Sequence, residues 1–183
     1  MAMACTKNHA DLAQVLYILF ACMAGFLVWN MRFPWLSSAK IFLGDSGALC
    51  LGLLLGWFAI KTTQSAHAPL EPVTVIWFIA LPVMDAFALY IARSSRGINP
   101  FQADRRHLHH RILDAGFCPS HVTLIMLSLT AFMALMALVA QAKGLPDYVL
   151  FYAWLMVFVM HTVGIMHPRG YLYFVRVLKA RLK

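Results

Sequence analysis

Apolar and polar positions along this chain separate into long blocks. Five nearly uninterrupted apolar runs, at 12–31, 44–60, 72–92, 121–142 and 146–166, stand between short polar stretches. A helix needs about 20 predominantly apolar residues to cross the hydrocarbon core of a bilayer, and four of the runs reach that length. The second run is shorter. It is expected to extend past Lys61, whose long stem can lie along apolar surface while its ammonium reaches water. The pattern predicts an all-α polytopic membrane protein with about five transmembrane helices in one bundle over residues 1–170. A separate segment, 171–183, mixes bulky apolar residues with Arg176, Lys179 and Lys183 at helical spacing and predicts a basic interfacial helix.

Composition agrees. Of the 183 residues, 62% are apolar and 12% charged, and mean hydropathy is +0.73. A soluble domain is nearer about one half apolar and about one quarter charged. The excess excludes an ordinary soluble fold, a disordered segment, a nucleic-acid-binding tail and a secreted disulfide scaffold. Cys22 and Cys50 lie in apolar runs and Cys5 and Cys118 in polar stretches, with no C-x-x-C pair, so free thiols are expected. The first eleven residues are mixed and no small-residue cleavage site follows the first run. The first span is therefore expected to act as its own insertion signal.

The net charge of +8 is unevenly placed. If the loops after spans one, three and five share a side, that side holds twelve Lys and Arg, and the other holds only Lys7, Lys61 and Lys143. The positive-inside rule puts the twelve in the cytoplasm. This leaves the C-terminus cytoplasmic and the N-terminus outside.

Charged residues in or beside membrane spans have few reasons to be there, and three sites stand out. The first is Lys40-Ile-Phe-Leu-Gly-Asp45-Ser46-Gly47 at the mouth of span two. Asp45 can cap the helix, accepting from its first free N–H groups. Equally, a carboxylate at the membrane surface between glycines can hold Mg²⁺ beside phosphate. G-D-S-G also surrounds the nucleophile of trypsin-like proteases, but those are soluble β-barrels with no apolar helix after the serine.

The second site is Asp85, inside span three and three residues after Pro82, which is expected to bend the helix. An intramembrane acid is a functional candidate, and interhelical hydrogen bonding explains it as well. The third is the loop at 93–120, with Arg105, Arg106, His107, His109, His110 and Arg111 in close succession. Guanidinium forks match phosphate oxygens, and imidazoles donate to phosphate or exchange protons near neutral pH. Zinc competes, but three histidines within four positions converge poorly on one tetrahedral ion, and only Cys118 lies near. A solvated basic loop is the plain alternative. Ala48, Gly52 and Gly56 form a small-residue stripe suited to close packing inside the bundle.

These motifs carry a resemblance. Ala39-Lys-Ile-Phe-Leu-Gly-Asp-Ser-Gly-Ala48 resembles the N-P-A-K-(I/V)-F-M-G-D-x-G-S segment of the polyprenyl-phosphate N-acetylhexosamine-1-phosphate transferases. Leu81-Pro-Val-Met-Asp85 is similar to their following I-P-L-x-D helix. Asn99-Pro-Phe-Gln-Ala-Asp-Arg-Arg-His-Leu-His-His110 closely resembles the S-P-F-x-x-D-R-x-H-(I/L)-H-H loop of the bacterial undecaprenyl-phosphate N-acetylglucosaminyl-1-phosphate transferases. The resemblance implies a bacterial inner-membrane enzyme of cell-surface polysaccharide synthesis with its active face in the cytoplasm. Its substrates would be UDP-N-acetylglucosamine and undecaprenyl phosphate, and its cofactor Mg²⁺, or Mn²⁺ in its place. It makes Asp45 the catalytic residue and Mg²⁺ ligand, and Lys40 a supporting phosphate contact. Arg105, Arg106, His107, His109, His110 and Arg111 would grip the nucleotide-sugar diphosphate.

The departures are as informative. Members of the family carry an upstream half with D-D-x-x-D and N-x-x-D-G-x-D-G-L segments, whereas the only acid before Asp45 here is Asp11. Ala48 replaces the final Ser of G-D-x-G-S. The chain thus resembles the C-terminal half alone, and one carboxylate is a thin site for a divalent metal beside a diphosphate. A second polypeptide is expected to supply the missing acids, and the isolated chain is expected to be inactive. Two alternatives remain: a pseudoenzyme that binds nucleotide sugar, and half of an anion transporter, although transporters place their sites near the midplane. No nucleic-acid partner is expected.

Overall fold

In a computed structural model of the protein, residues 2–32, 36, 38–64, 68–99, 106–167 and 180 are described. Seven helices occupy them: α1 (Ala2–Asn30), α2 (Gly44–Thr63), α3 (Pro72–Phe78), α4 (Ala80–Ser94), α5 (Leu108–Asp114), α6 (Pro119–Ala142) and α7 (Asp147–Met166). There is no strand among the described residues. Arg105 and, apart from Ala180, the tail at 171–183 lie outside them.

Four stretches are long and apolar enough to cross a membrane: Asp11–Asn30 of α1, and the whole of α2, α6 and α7. Their apolar surface has little protein against it. None of the most apolar window of Asp11–Asn30, mean hydropathy 2.1, is buried, and only 17% of that in α6 is, at 2.4. Surface of that kind is stable where hydrocarbon replaces water. The chain is an integral membrane protein.

The third run, expected as one span at 72–92 bent by Pro82, passes the same test of length and composition when its two helices are taken together. These are α3 and α4, bent by 77° at Ile79. Pro82 accounts for the position of the break. It has no N–H to offer the carbonyl four residues earlier, that of Phe78, and its ring crowds that carbonyl. Phe78 is the last residue of α3. The bend therefore falls one turn before the proline. The second run extends as expected, to Thr63, with Lys61 Nζ 5.9 Å from the Trp57 ring centroid.

The chain forms two compact units, residues 1–49 and 50–183. In the first, the segment after α1 folds back on the end of that helix. Lys40 N donates to Trp29 O at 3.1 Å, and Ile41 N donates to Asn30 Oδ1 at 3.2 Å.

In the second unit, the halves of the bent pair pack on α6 and α7. Val73 and Trp77 of α3 and Ala80 and Met84 of α4 meet Met133 and Ala137 of α6 and Leu150 of α7. Trp77 is almost fully buried and donates its indole N–H to Leu150 O at 3.3 Å. Ala80 and Ala137 are both 0% exposed, and their small side chains let the helix backbones approach. Ala137→Leu is expected to overpack this contact at a cost of about 1–3 kcal/mol. A lowered unfolding temperature of the purified protein in detergent would register it, and an unchanged one would mean the site relaxes freely.

Candidate functional site

The acidic turn belongs to the first unit. Gly44 opens α2 with φ at 70°, a left-handed conformation that costs glycine little. Asp45 follows in the first turn of α2, where a negative charge meets the positive end of the helix dipole. Its side chain is exposed, and among the described residues no hydrogen bond or ion pair holds it. Lys40 is exposed as well. Mg²⁺ is commonly bound through one or two carboxylates plus substrate phosphates, so an exposed, unengaged Asp45 fits such an ion when a diphosphate supplies further oxygens. Among the described residues no three His, Cys, Asp or Glu gather to hold a metal by themselves.

The histidine loop belongs to the second unit, and α5 anchors it. Leu108 and Ile112, one turn apart on α5, are buried with Leu81 of α4 and Val122 of α6. That contact turns the remaining face of a seven-residue helix outward, and His109 and His110 lie on it half-buried. The imidazoles of His107, His109 and His110 lie in successive contact. Ring centroids are 5.6 Å apart at 19° between the first two, and 4.2 Å apart at 38° between the last two. Burial pushes the pKa of His109 below the ordinary histidine value. The neighbouring His110 and His107 push the same way, against an opposing pull from Asp85. The neutral ring, with one N–H and one lone pair to offer, is thereby favoured.

The base of the loop is held by hydrogen bonds to α4 and α7. Asp85 of α4 accepts from His107 Nδ1 at 2.8 Å, from Leu108 N at 3.0 Å and from His161 Nε2 of α7 at 3.3 Å. Arg111 is 3% exposed. Its Nε donates to Arg106 O at 3.0 Å and its Nη2 to Ile165 O at 2.9 Å. Arg96 Nη2 donates to Met166 O at 3.2 Å. The last carbonyls of a helix have no partner within it, and two guanidinium groups supply partners at the end of α7. Beside His109 an apolar cleft of about 430 Å³ opens along α6, lined by Leu113, Pro119, Val122, Thr123, Met126 and Leu127.

The structure thus brings together His107, His109, His110 and Arg111, and places Arg106 at the foot of the same group. Asp85, which the sequence left between two readings, is bonded to it. Two participants were missed. His161 is a polar residue in an apolar span, and that alone is a usable signal. Arg96 had counted only as a cytoplasmic charge.

Residues 1–63 match the family described as glycosyl transferase family 4. The chain is 32% identical over 145 residues to the undecaprenyl-phosphate alpha-N-acetylglucosaminyl 1-phosphate transferase of Escherichia coli K12, covering 79% of this chain and 40% of that protein. The transferase of the same name from Haemophilus influenzae is 28% identical over 176 residues, 96% of this chain and 50% of its own length. The chain is a relative of these transferases. The resemblance carried by the motifs is borne out across most of its length, and the chain spans about half the length of the curated relatives it matches. No solved structure matches it significantly.

Proposed function

We propose that this chain takes part in transfer of N-acetylglucosamine 1-phosphate from UDP-N-acetylglucosamine to undecaprenyl phosphate, at the cytoplasmic face of the bacterial inner membrane, for cell-surface polysaccharide synthesis. A phosphate oxygen of the lipid attacks the β-phosphorus of the nucleotide sugar. The bond from that phosphorus to the bridging oxygen breaks, UMP leaves with the electron pair, and a lipid-linked sugar diphosphate remains. Positioning and charge neutralisation carry such chemistry. Bound Mg²⁺, or Mn²⁺ in its place, would neutralise diphosphate charge, with Asp45 as its ligand and Lys40 as a nearby phosphate contact.

Arg105, Arg106, His107, His109 and His110 would grip the diphosphate. Arg111 has its guanidinium on the carbonyls of Arg106 and Ile165, so its share of that grip is to hold the loop's backbone. The observation that carries the reading is the three imidazoles in successive ring contact at the start of a short anchored helix, tethered at the first ring. It gathers several ring nitrogens in one place, a form suited to the several oxygens of a diphosphate.

A second polypeptide would supply the acidic segments that the relatives carry elsewhere in their length. UMP release with UDP-N-acetylglucosamine, undecaprenyl phosphate and Mg²⁺ tests this, with the chain alone and with the upstream half of a homologous transferase in trans. Release is expected only in the complemented sample. Release by the chain alone would remove the need for the second polypeptide. Silence in both would overturn transfer and favour a binder of nucleotide sugar, a reading that the single carboxylate at α2 already supports.

A further inference from the structure

We propose that Asp85 is a positioning residue for the histidine loop, fixing the tautomer and direction of His107 and the start of α5, with His161 as its partner from α7. This rests on the proposed transfer and names how its binding loop is held. The carboxylate is largely buried, with its side chain 10% exposed, and it faces three N–H donors. An ionised carboxylate only accepts hydrogen bonds, so each imidazole nitrogen turned toward it carries a proton. His107 is thereby held with Nδ1–H on Asp85, which leaves Nε2 for a ligand: it accepts from a hydroxyl while the ring is neutral, and donates to a phosphate oxygen once the ring takes a second proton, a state the carboxylate behind it favours. His161, only 11% exposed, is held in the opposite sense, with Nε2–H on Asp85.

The arrangement is more than a strut between two spans. Two of the three bonds go to the loop, and they go to consecutive residues. Leu108 is the first residue of α5, and its N–H is one of the donors that a helix start leaves unpaired. His107, in the capping position, makes no side-chain cap bond of its own. Asp85 does that work from another helix while holding the ring of His107. One group thus sets where α5 begins and where the first imidazole points, and the rings of His109 and His110 follow in contact. A carboxylate behind an imidazole is a general means of fixing which nitrogen carries the proton. The position of Asp85 is fixed in turn by its helix. Leu81, Met84, Ala88 and Leu89 are buried on either side of it in sequence, so the carboxylate moves only if α4 does.

The test is Asp85→Asn in the full chain, read in two ways. Nitrogen-15 spectra of labelled histidine in nanodiscs, with His107 assigned from a His107→Gln spectrum, report the tautomer. Wild-type His107 is expected as Nδ1–H, and D85N is expected to shift it toward Nε2–H. In the complemented transfer assay, D85N is expected to raise KM for UDP-N-acetylglucosamine about tenfold, the size of losing a hydrogen bond to a charged group. KM for undecaprenyl phosphate should stay within about twofold, as the lipid substrate is not the one this ring is proposed to hold.

A lower unfolding temperature with both KM values and the His107 spectrum unchanged would make Asp85 a strut and overturn the proposal. A changed tautomer with unchanged KM for the nucleotide sugar would overturn it too. If D85N does not fold, wild-type His107 found as Nε2–H overturns it directly. Asp85→Glu, which keeps the carboxylate but displaces it, is expected to keep Nδ1–H while raising KM. If the wild-type complemented sample is silent, the transfer reading fails, and the spectra still decide whether Asp85 sets His107.

Discussion

Asp45→Asn is expected to lower UMP release in the complemented assay by about a hundred- to a thousandfold, the loss seen when one well-placed electrostatic contact to a reacting centre is removed. The substitution is chosen because Asn caps a helix start as well as Asp does. Any helix-capping share of Asp45 therefore survives in the variant, and what is lost is the charge. The side chain is exposed and unengaged among the described residues, so folding stability should change by no more than about 0.5–1 kcal/mol, the reach of a surface charge at a helix end. The two readings of this residue then part. A metal ligand loses turnover and keeps its unfolding temperature, and a structural cap keeps both in the Asn variant. Full turnover in Asp45→Asn would remove Asp45 from the chemistry.

The sequence carried the membrane architecture because hydropathy is local. Each of the four long spans is a single apolar run, and the bilayer imposes the same length on all of them. The third span was legible too, with Pro82 marking a bend, but hydropathy does not show where the break falls. An average over 72–92 stays apolar through a break at Ile79, and the signal, Pro82, acts one turn upstream of itself. Helix α5 was hidden. Its apolar pair Leu108 and Ile112 has helical spacing, but it is embedded in a loop whose charges dominate any window.

The site divides in the same way. Residues clustered in sequence, such as His107, His109 and His110, were legible as a unit because a short helix keeps them together. What holds them was not. Asp85 meets His107 across 22 positions and His161 across 76. Pairings of that range come from the packing of α4 and α7, which no local pattern encodes.

Arg111 is where the two kinds of information conflict most, and its variants should show which prevails. By motif it faces the diphosphate, but its guanidinium lies 3% exposed against the carbonyls of Arg106 and Ile165. Arg111→Met keeps most of the volume and removes both donors, leaving two carbonyls short of partners and the negative end of α7 without this cation. Hydrogen bonds from a charged group of this kind set a stability loss of about 2–4 kcal/mol. Transfer should fall with it, because Arg111 ties the backbone just before His107 to the end of α7.

Arg111→Lys separates the causes. Nε and Nη2 reach two different carbonyls from one planar group, which a single ammonium on a flexible stem does not reproduce. If the clamp is the role of Arg111, Lys is expected to recover less than half of the lost stability and to remain impaired in transfer. If Arg111 mainly neutralises phosphate charge, Lys should restore stability and most turnover, leaving only a raised KM for UDP-N-acetylglucosamine. Unfolding temperature and KM measured on the same two variants decide between these outcomes.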